Sequence, residues 1–124
     1  MKKLYNMKDV LWRILLLLLF IVLLAFITYP AQAQIEARHF NAGWNSANSV
    51  SWFMDLEDCK TKGLTDIASN KEEAAKHKIA VVPTIIIFKD GEEALRFQAD
   101  LSFKMVATKE EVQEAINELL MSDF

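Results

Sequence analysis

The side chains able to do covalent or metal chemistry are few. Cys59 is the single thiol, set between Asp58 and Lys60, with Asp55 and Glu57 close by. Neighbouring carboxylates disfavour a thiolate, so this residue reads as a weak nucleophile. His39 and His77 stand far apart and share no ligand spacing with Cys59, so neither a zinc site nor any other metal site is expected. The three glycines, Gly43, Gly63 and Gly91, are scattered and form no phosphate-cradling loop. No cofactor is expected. The remaining constellation is Gly43–Ser49, GWNSANS, in which Trp44 precedes Asn45 and Asn48, three residues apart. A carboxamide is neutral, neither nucleophile nor redox couple, and its chemistry is hydrogen bonding.

The elements that must position these residues are legible from period and punctuation. Ile35–Asn41 reads as a strand ending before Gly43, and Ser49–Leu56 as a helix with Val50, Phe53 and Met54 at helical spacing. Asn48 or Ser49 would cap that helix. Lys62–Ile67 is a weaker strand, and Ser69/Glu72 and Asn70/Glu73 give overlapping capping boxes for a short helix through Lys78. Thr84–Phe88, TIIIF, is a β-branched run without alternation, which predicts a central strand buried on both faces. Asp90-Gly91 makes a hairpin turn into Ala94–Ala99. Thr108 with Glu111 opens a final helix with one apolar stripe of Val112, Ala115, Ile116, Leu119 and Leu120. Leu101–Val106, between them, is more apolar than a connection needs, and either covers the sheet edge or stands exposed for a partner. The order predicts an α/β fold, a mixed sheet with helices on both faces.

Residues 1–33 are of another kind. Ile14–Ile27 is fourteen apolar residues without a charge, preceded by Lys2, Lys3, Lys8 and Arg13 and followed by Pro30 and Ala31-Gln32-Ala33. This is the layout of a secretory signal peptide cleaved after Ala33. An uncleaved anchor through residues 10–29 is the alternative. Fourteen residues span only about 21 Å of a hydrocarbon core of about 30 Å, although Trp12 and Tyr29 could sit at the interfaces. Either way the positive residues precede the apolar run, so residues 34–124 are expected outside the cytoplasmic membrane, in the periplasm or another extracytoplasmic space. That part carries ten Lys/Arg against sixteen Asp/Glu, which gives no basic footprint for nucleic acid. With one cysteine it forms no internal disulfide.

Three local signatures in this order resemble the thioredoxin-like family across nearly all of Ile35–Met121. Phe40-Asn41-Ala42-Gly43-Trp44 is similar to the end of the family's central strand. Val82-Pro83-Thr84 with the Ile run and Phe88-Lys89-Asp90-Gly91 is similar to its proline loop, strand and glycine turn, and the capped terminal helix closes the match. The resemblance implies a three-layer thioredoxin-like domain at 34–124, preceded by the hydrophobic helix, with a cis peptide bond at Pro83. In the family, the backbone before that proline pairs with an extended segment of a partner.

The family's Trp-Cys-x-x-Cys motif falls on Trp44, Asn45 and Asn48, so both thiols are gone. His39 stands where the family usually buries an acid. The resemblance therefore implies an exported or anchored thioredoxin-like domain without redox cysteines, more a binding or structural module than an enzyme. Its degenerate face, Trp44, Asn45, Ser46, Ala47, Asn48, Val82 and Pro83, would contact an unidentified protein partner. Two alternatives stand beside this: a thiol-disulfide oxidoreductase working through Cys59 alone, and a structural component of a larger cellular or viral assembly.

Overall fold

The computed structural model describes residues 6–28 and 33–122, in two compact units that divide after Gln32. The first is one helix, α1 (Met7–Thr28). Its run of leucines needs no partner to satisfy the backbone, because every interior N–H bonds within the helix. Asn6 caps its start, its Oδ1 accepting from Lys8 N–H at 3.1 Å. The 22 residues are longer than the uncharged run, because the helix extends back through Arg13, Asp9 and Lys8. At 1.5 Å per residue that is about 33 Å. The window Met7–Phe26 is long and apolar enough to cross a membrane by length and composition. The leader's Lys2, Lys3, Tyr29, Pro30, Ala31 and Gln32 lie outside the described residues.

The second unit is built on a mixed sheet. Strand β1 (Ile35–Asn41) pairs in parallel with two short strands, β2 (Lys60–Thr61) and β3 (Thr65–Asp66), and antiparallel with β4 (Thr84–Lys89). Strand β4 then pairs antiparallel with β5 (Glu92–Gln98), in the order β2-β1-β4-β5 with β3 also on β1. Thr84 to Phe88 are all buried, as an unalternating run in a central strand must be. Asp90 and Gly91 turn the β4–β5 hairpin with φ of 52° and 85°, the doubly left-handed backbone that a two-residue Asp-Gly connection supplies.

One sheet face carries Ile35, Ala37, Ile85 and Ile87, covered by helix α3 (Lys109–Met121) through Val112 and Ile116, and by Val50, Phe53 and Leu56. Thr108 caps α3, its Oγ1 accepting from Glu111 N–H at 3.2 Å. The other face is smaller, with Phe40, Ile86 and Phe88 under Ile67 and Ile79. Helix α2 (Lys71–Lys76) buries none of its own residues and is held by polar contacts. Arg38 reaches Glu73 at 3.2 Å and lies over the Phe88 ring at 5.2 Å, while the His77 ring packs between Phe40 and Phe88. Arg96 grips the carbonyls of His77 and Lys78.

The local expectations need four corrections. Ser49–Leu56 is not an α-helix: Gly43–Asn48 and Phe53–Asp55 are short 3₁₀ turns, because side-chain bonds at Asn41, Ser49 and Val50 compete with helical ones. Lys62–Ile67 is not one strand: within it only Thr65–Asp66 pairs, as β3, while β2 lies before it at Lys60–Thr61. Asn70 stands at the N-cap of α2 without a side-chain cap bond, since its Nδ2 donates to the Asp66 carbonyl instead. That helix stops at Lys76, where left-handed Lys78 (φ 51°) turns the chain so that Ile79 enters the core.

Truncating Ile116, which is fully buried, to alanine should cost about 3 kcal/mol, and Thr108→Ala about 1 kcal/mol. Guanidinium unfolding of the full chain in detergent micelles, followed by tryptophan fluorescence, measures both. Met121→Ala, at an exposed position of the same helix, serves as the neutral reference.

Candidate functional site

The site lies where β1 ends. Strand β1 runs to Asn41 with its last residues buried, and Ala42 then turns into the first 3₁₀ segment, Asn45 N–H donating to the Ala42 carbonyl at 2.9 Å. This tight turn swings the Asn45 side chain inward, leaving it 5% exposed, while Trp44, Ser46 and Ala47 face solvent and Asn48 is half-buried.

A buried carboxamide has to find partners for two N–H donors and a carbonyl, and Asn45 finds them on four segments. Its Nδ2 donates to Asn41 Oδ1 at 3.1 Å and to the Phe103 carbonyl at 3.0 Å, with a longer contact of 3.4 Å to the Val82 carbonyl. Its Oδ1 accepts from Asn48 Nδ2 at 2.8 Å. Asn41 completes the mesh, its Nδ2 donating to the Asn45 carbonyl at 3.0 Å and to Ser49 Oγ at 2.9 Å. Every buried side-chain polar atom among the described residues has a partner.

The expected face is thus brought together but presented unevenly. Val82 and Pro83 are buried, joined by a cis peptide bond, and the Pro83 carbonyl accepts from Ala99 N–H at 3.0 Å. Trp44 is 69% exposed and meets the Phe103 ring edge-on at 5.0 Å. Sequence reasoning missed Asn41 and Phe103. A polar residue closing an otherwise buried strand, four before Asn45, was the available signal for the first. The Leu101–Val106 loop resolves into an exposed side, Leu101, Phe103 and Val106, and an inward one, Met105, which packs on the core.

His39, on β1, is buried against Phe53 with ring centroids 5.1 Å apart, and its Nε2 accepts from Val50 N–H at 3.4 Å. Burial pushes its pKa down to about 4, so the ring is neutral at physiological pH and serves as an acceptor. Cys59 is half-buried and packs against the larger core cluster. Burial first, and the Asp58 charge second, push its thiol pKa up, which keeps it protonated at neutral pH. Among the described residues, no three His, Cys, Asp or Glu side chains gather in a way that could hold a metal ion.

No protein-family model matches the sequence, and no curated protein matches it either. Solved structures do match the fold. A point mutant of thioredoxin from Halobacterium salinarum NRC-1 aligns over 70% of this chain and 75% of its own, at 17% identity and a TM-score of 0.56. Thioredoxin 1 from Thermosipho africanus TCF52B aligns over 71% and 97%, at 18% identity and 0.53. Fasciola hepatica thioredoxin aligns over 68% and 80%, at 22% identity and 0.50.

Two measurements follow from the titrating groups. The folded chain holds His39 below its ordinary pKa of 6.5, so between that value and about 4 the unfolded state binds the extra proton and stability falls as pH falls. The stability gap between the chain and His39→Gln, which keeps an acceptor but does not titrate, should narrow by about 2 kcal/mol across that window. A constant gap would show that His39 titrates normally in the fold. Cys59 should react with a maleimide at pH 7 about tenfold more slowly than glutathione, and reach the free-thiol rate on unfolding in guanidinium.

Proposed function

We propose that this chain, a thioredoxin-like fold with a single cysteine, is an extracytoplasmic protein-binding or structural module that has exchanged dithiol chemistry for a fixed hydrogen-bonded surface, delivered or held by its N-terminal helix. The observation that carries this reading is the Asn45 side chain, whose amide is spent on Asn41, Phe103, Val82 and Asn48. A thioredoxin works by a thiolate attacking a disulfide and a second thiol resolving the mixed disulfide. Carboxamides at the two corresponding positions perform neither step.

Trp44, Ser46 and Ala47 supply accessible contact area, and the backbone at Val82 is the part that the family resemblance implies for pairing with an extended partner segment. Lys8 and Arg13 at the start of α1 support a cytoplasmic start and export of residues 34–124, because positive charge is retained inside. Its length of 22 helical residues supports anchoring rather than removal. A one-cysteine oxidoreductase is disfavoured by the protonated state of Cys59.

A disulfide-reduction assay on the full chain in detergent, with insulin as substrate and dithiothreitol as electron donor, should give no turnover above the uncatalysed rate. Cys59→Ser should leave that result unchanged. Turnover that disappears with Cys59→Ser would replace this reading with the oxidoreductase. Mass determination of the protein purified from membranes should give the chain with its leader, whereas a start at Gln34 would establish cleavage.

A further inference from the structure

One loop beside the degenerate site is held both by its own turn and by residues outside it. Asp100–Met105 leaves β5 just after Ala99, which bonds the Pro83 carbonyl, and returns at Met105 in a two-residue bridge to Ala99. The Asp100 carboxylate knots the tip, with Oδ1 accepting from Ser102 N–H at 2.8 Å, from Ser102 Oγ and from Lys104 N–H at 3.4 Å. Within this knot Phe103 takes φ of 62°. An aromatic side chain in left-handed backbone is a strained arrangement that persists only where its surroundings over-determine it.

The loop's own turn supplies part of this, Phe103 N–H donating to the Asp100 carbonyl and Asp100 N–H to the Lys104 carbonyl, both at 3.1 Å, and two contacts outside the loop supply the rest. The Phe103 carbonyl accepts from the buried Asn45 Nδ2, and the Phe103 ring stacks edge-on against Trp44. The same Asn45 Nδ2 reaches the Val82 carbonyl, so Phe103 and Val82 are bridged by one amide group. A side chain 5% exposed therefore restrains a loop whose tip, Leu101, is 96% exposed. The carboxamide and the indole thus add to the turn's own bonds in holding the left-handed backbone at Phe103.

We propose that Asp100–Met105 is a strap, latched by Asn45 and seated on Trp44, that closes the surface around Val82 until an extended segment of a partner polypeptide displaces Phe103. The inference rests on the protein-binding reading of this face and adds its regulation. Displacement exchanges the bond from Asn45 to Phe103 for one to the incoming backbone, so the amide stays satisfied throughout. The partner chemistry is that of an extended stretch whose backbone meets the Asn45 amide and whose apolar side chain replaces the Phe103 ring against Trp44.

The test uses the full chain in nanodiscs of zwitterionic lipid. Hydrogen exchange by mass spectrometry should show Asn45→Ala raising exchange across residues 99–105 about tenfold while β4 stays protected, the effect of losing one restraining hydrogen bond. Asn48→Ala, at a half-buried position that only orients the Asn45 amide, should raise the same segment by less, and it carries the test if Asn45→Ala does not fold. Unchanged exchange at 99–105, or an equal rise in β4 and α3, overturns the latch. The binding arm uses a phage library of linear dodecapeptides as the probe. Peptides selected on Phe103→Ala, which takes the competing ring off Trp44 and keeps the Asn45 amide for the incoming backbone, should bind it about tenfold more tightly than the unsubstituted chain. Equal affinity overturns the strap. A library that yields no binder to either form overturns the protein-binding reading itself, and exchange tells that failure apart because it reports the strap without any ligand.

Discussion

A carboxamide placed out of reach of water has to have both N–H groups and its carbonyl engaged, and the end of this sheet is arranged around meeting that condition once, at Asn45. Leaving one such group unpaired costs about 1–3 kcal/mol, comparable with a large part of a small domain's net stability. The chain meets it with the Asn41 side chain at the end of β1, the Asn48 side chain later in the same 3₁₀ turn, and the carbonyls of Val82 before β4 and Phe103 after β5. The convergence fixes the register of connections that would otherwise be loosely specified. It also consumes the groups that a reactive site would need to keep available.

The two sheet faces support this arrangement by different means. Under α3, burial is apolar: Ile35, Ala37, Ile85, Ile87, Val112 and Ile116 are essentially out of solvent, and each of the larger ones contributes roughly 1.5–3 kcal/mol of transfer free energy. Under α2, a six-residue helix with no buried residue is pinned by Arg38, Glu73, His77 and Arg96. These contacts are partly exposed, so solvent screens them and each is worth little alone. The rigid face is therefore the one that carries His39, Phe53 and Val50 up to the site, and opening of the α2 side has a lower cost.

Much of the fold was legible because it rests on period and punctuation. The unbroken Thr84–Phe88 run, the Asp90-Gly91 turn and the stripe from Val112 to Leu120 each have one economical structural solution. The segment from Ser49 to Leu56 was misread because Val50 and Phe53 satisfy a helical spacing and a pair of 3₁₀ turns equally well. Only tertiary bonds from Asn41 and His39 decide between them. That the chain holds a single cysteine was plain from residue identity. That Asn45 would turn inward, Val82 and Pro83 would be buried, and the Phe103 carbonyl would meet the Asn45 amide was not, since these depend on loop conformations that carry no periodic signal.

The most direct test of the carboxamide network is the exchange of the Asn45 side-chain Nδ2 protons with water, measured by NMR on the full chain in detergent micelles at pH 7. Both protons should exchange at least about a hundredfold more slowly than those of exposed Gln98, with distinct shifts, because each is bonded inside the fold. Exchange of the Asn45 amide at the Gln98 rate would contradict the account, leaving Asn45 a solvated surface residue and the face around Val82 open.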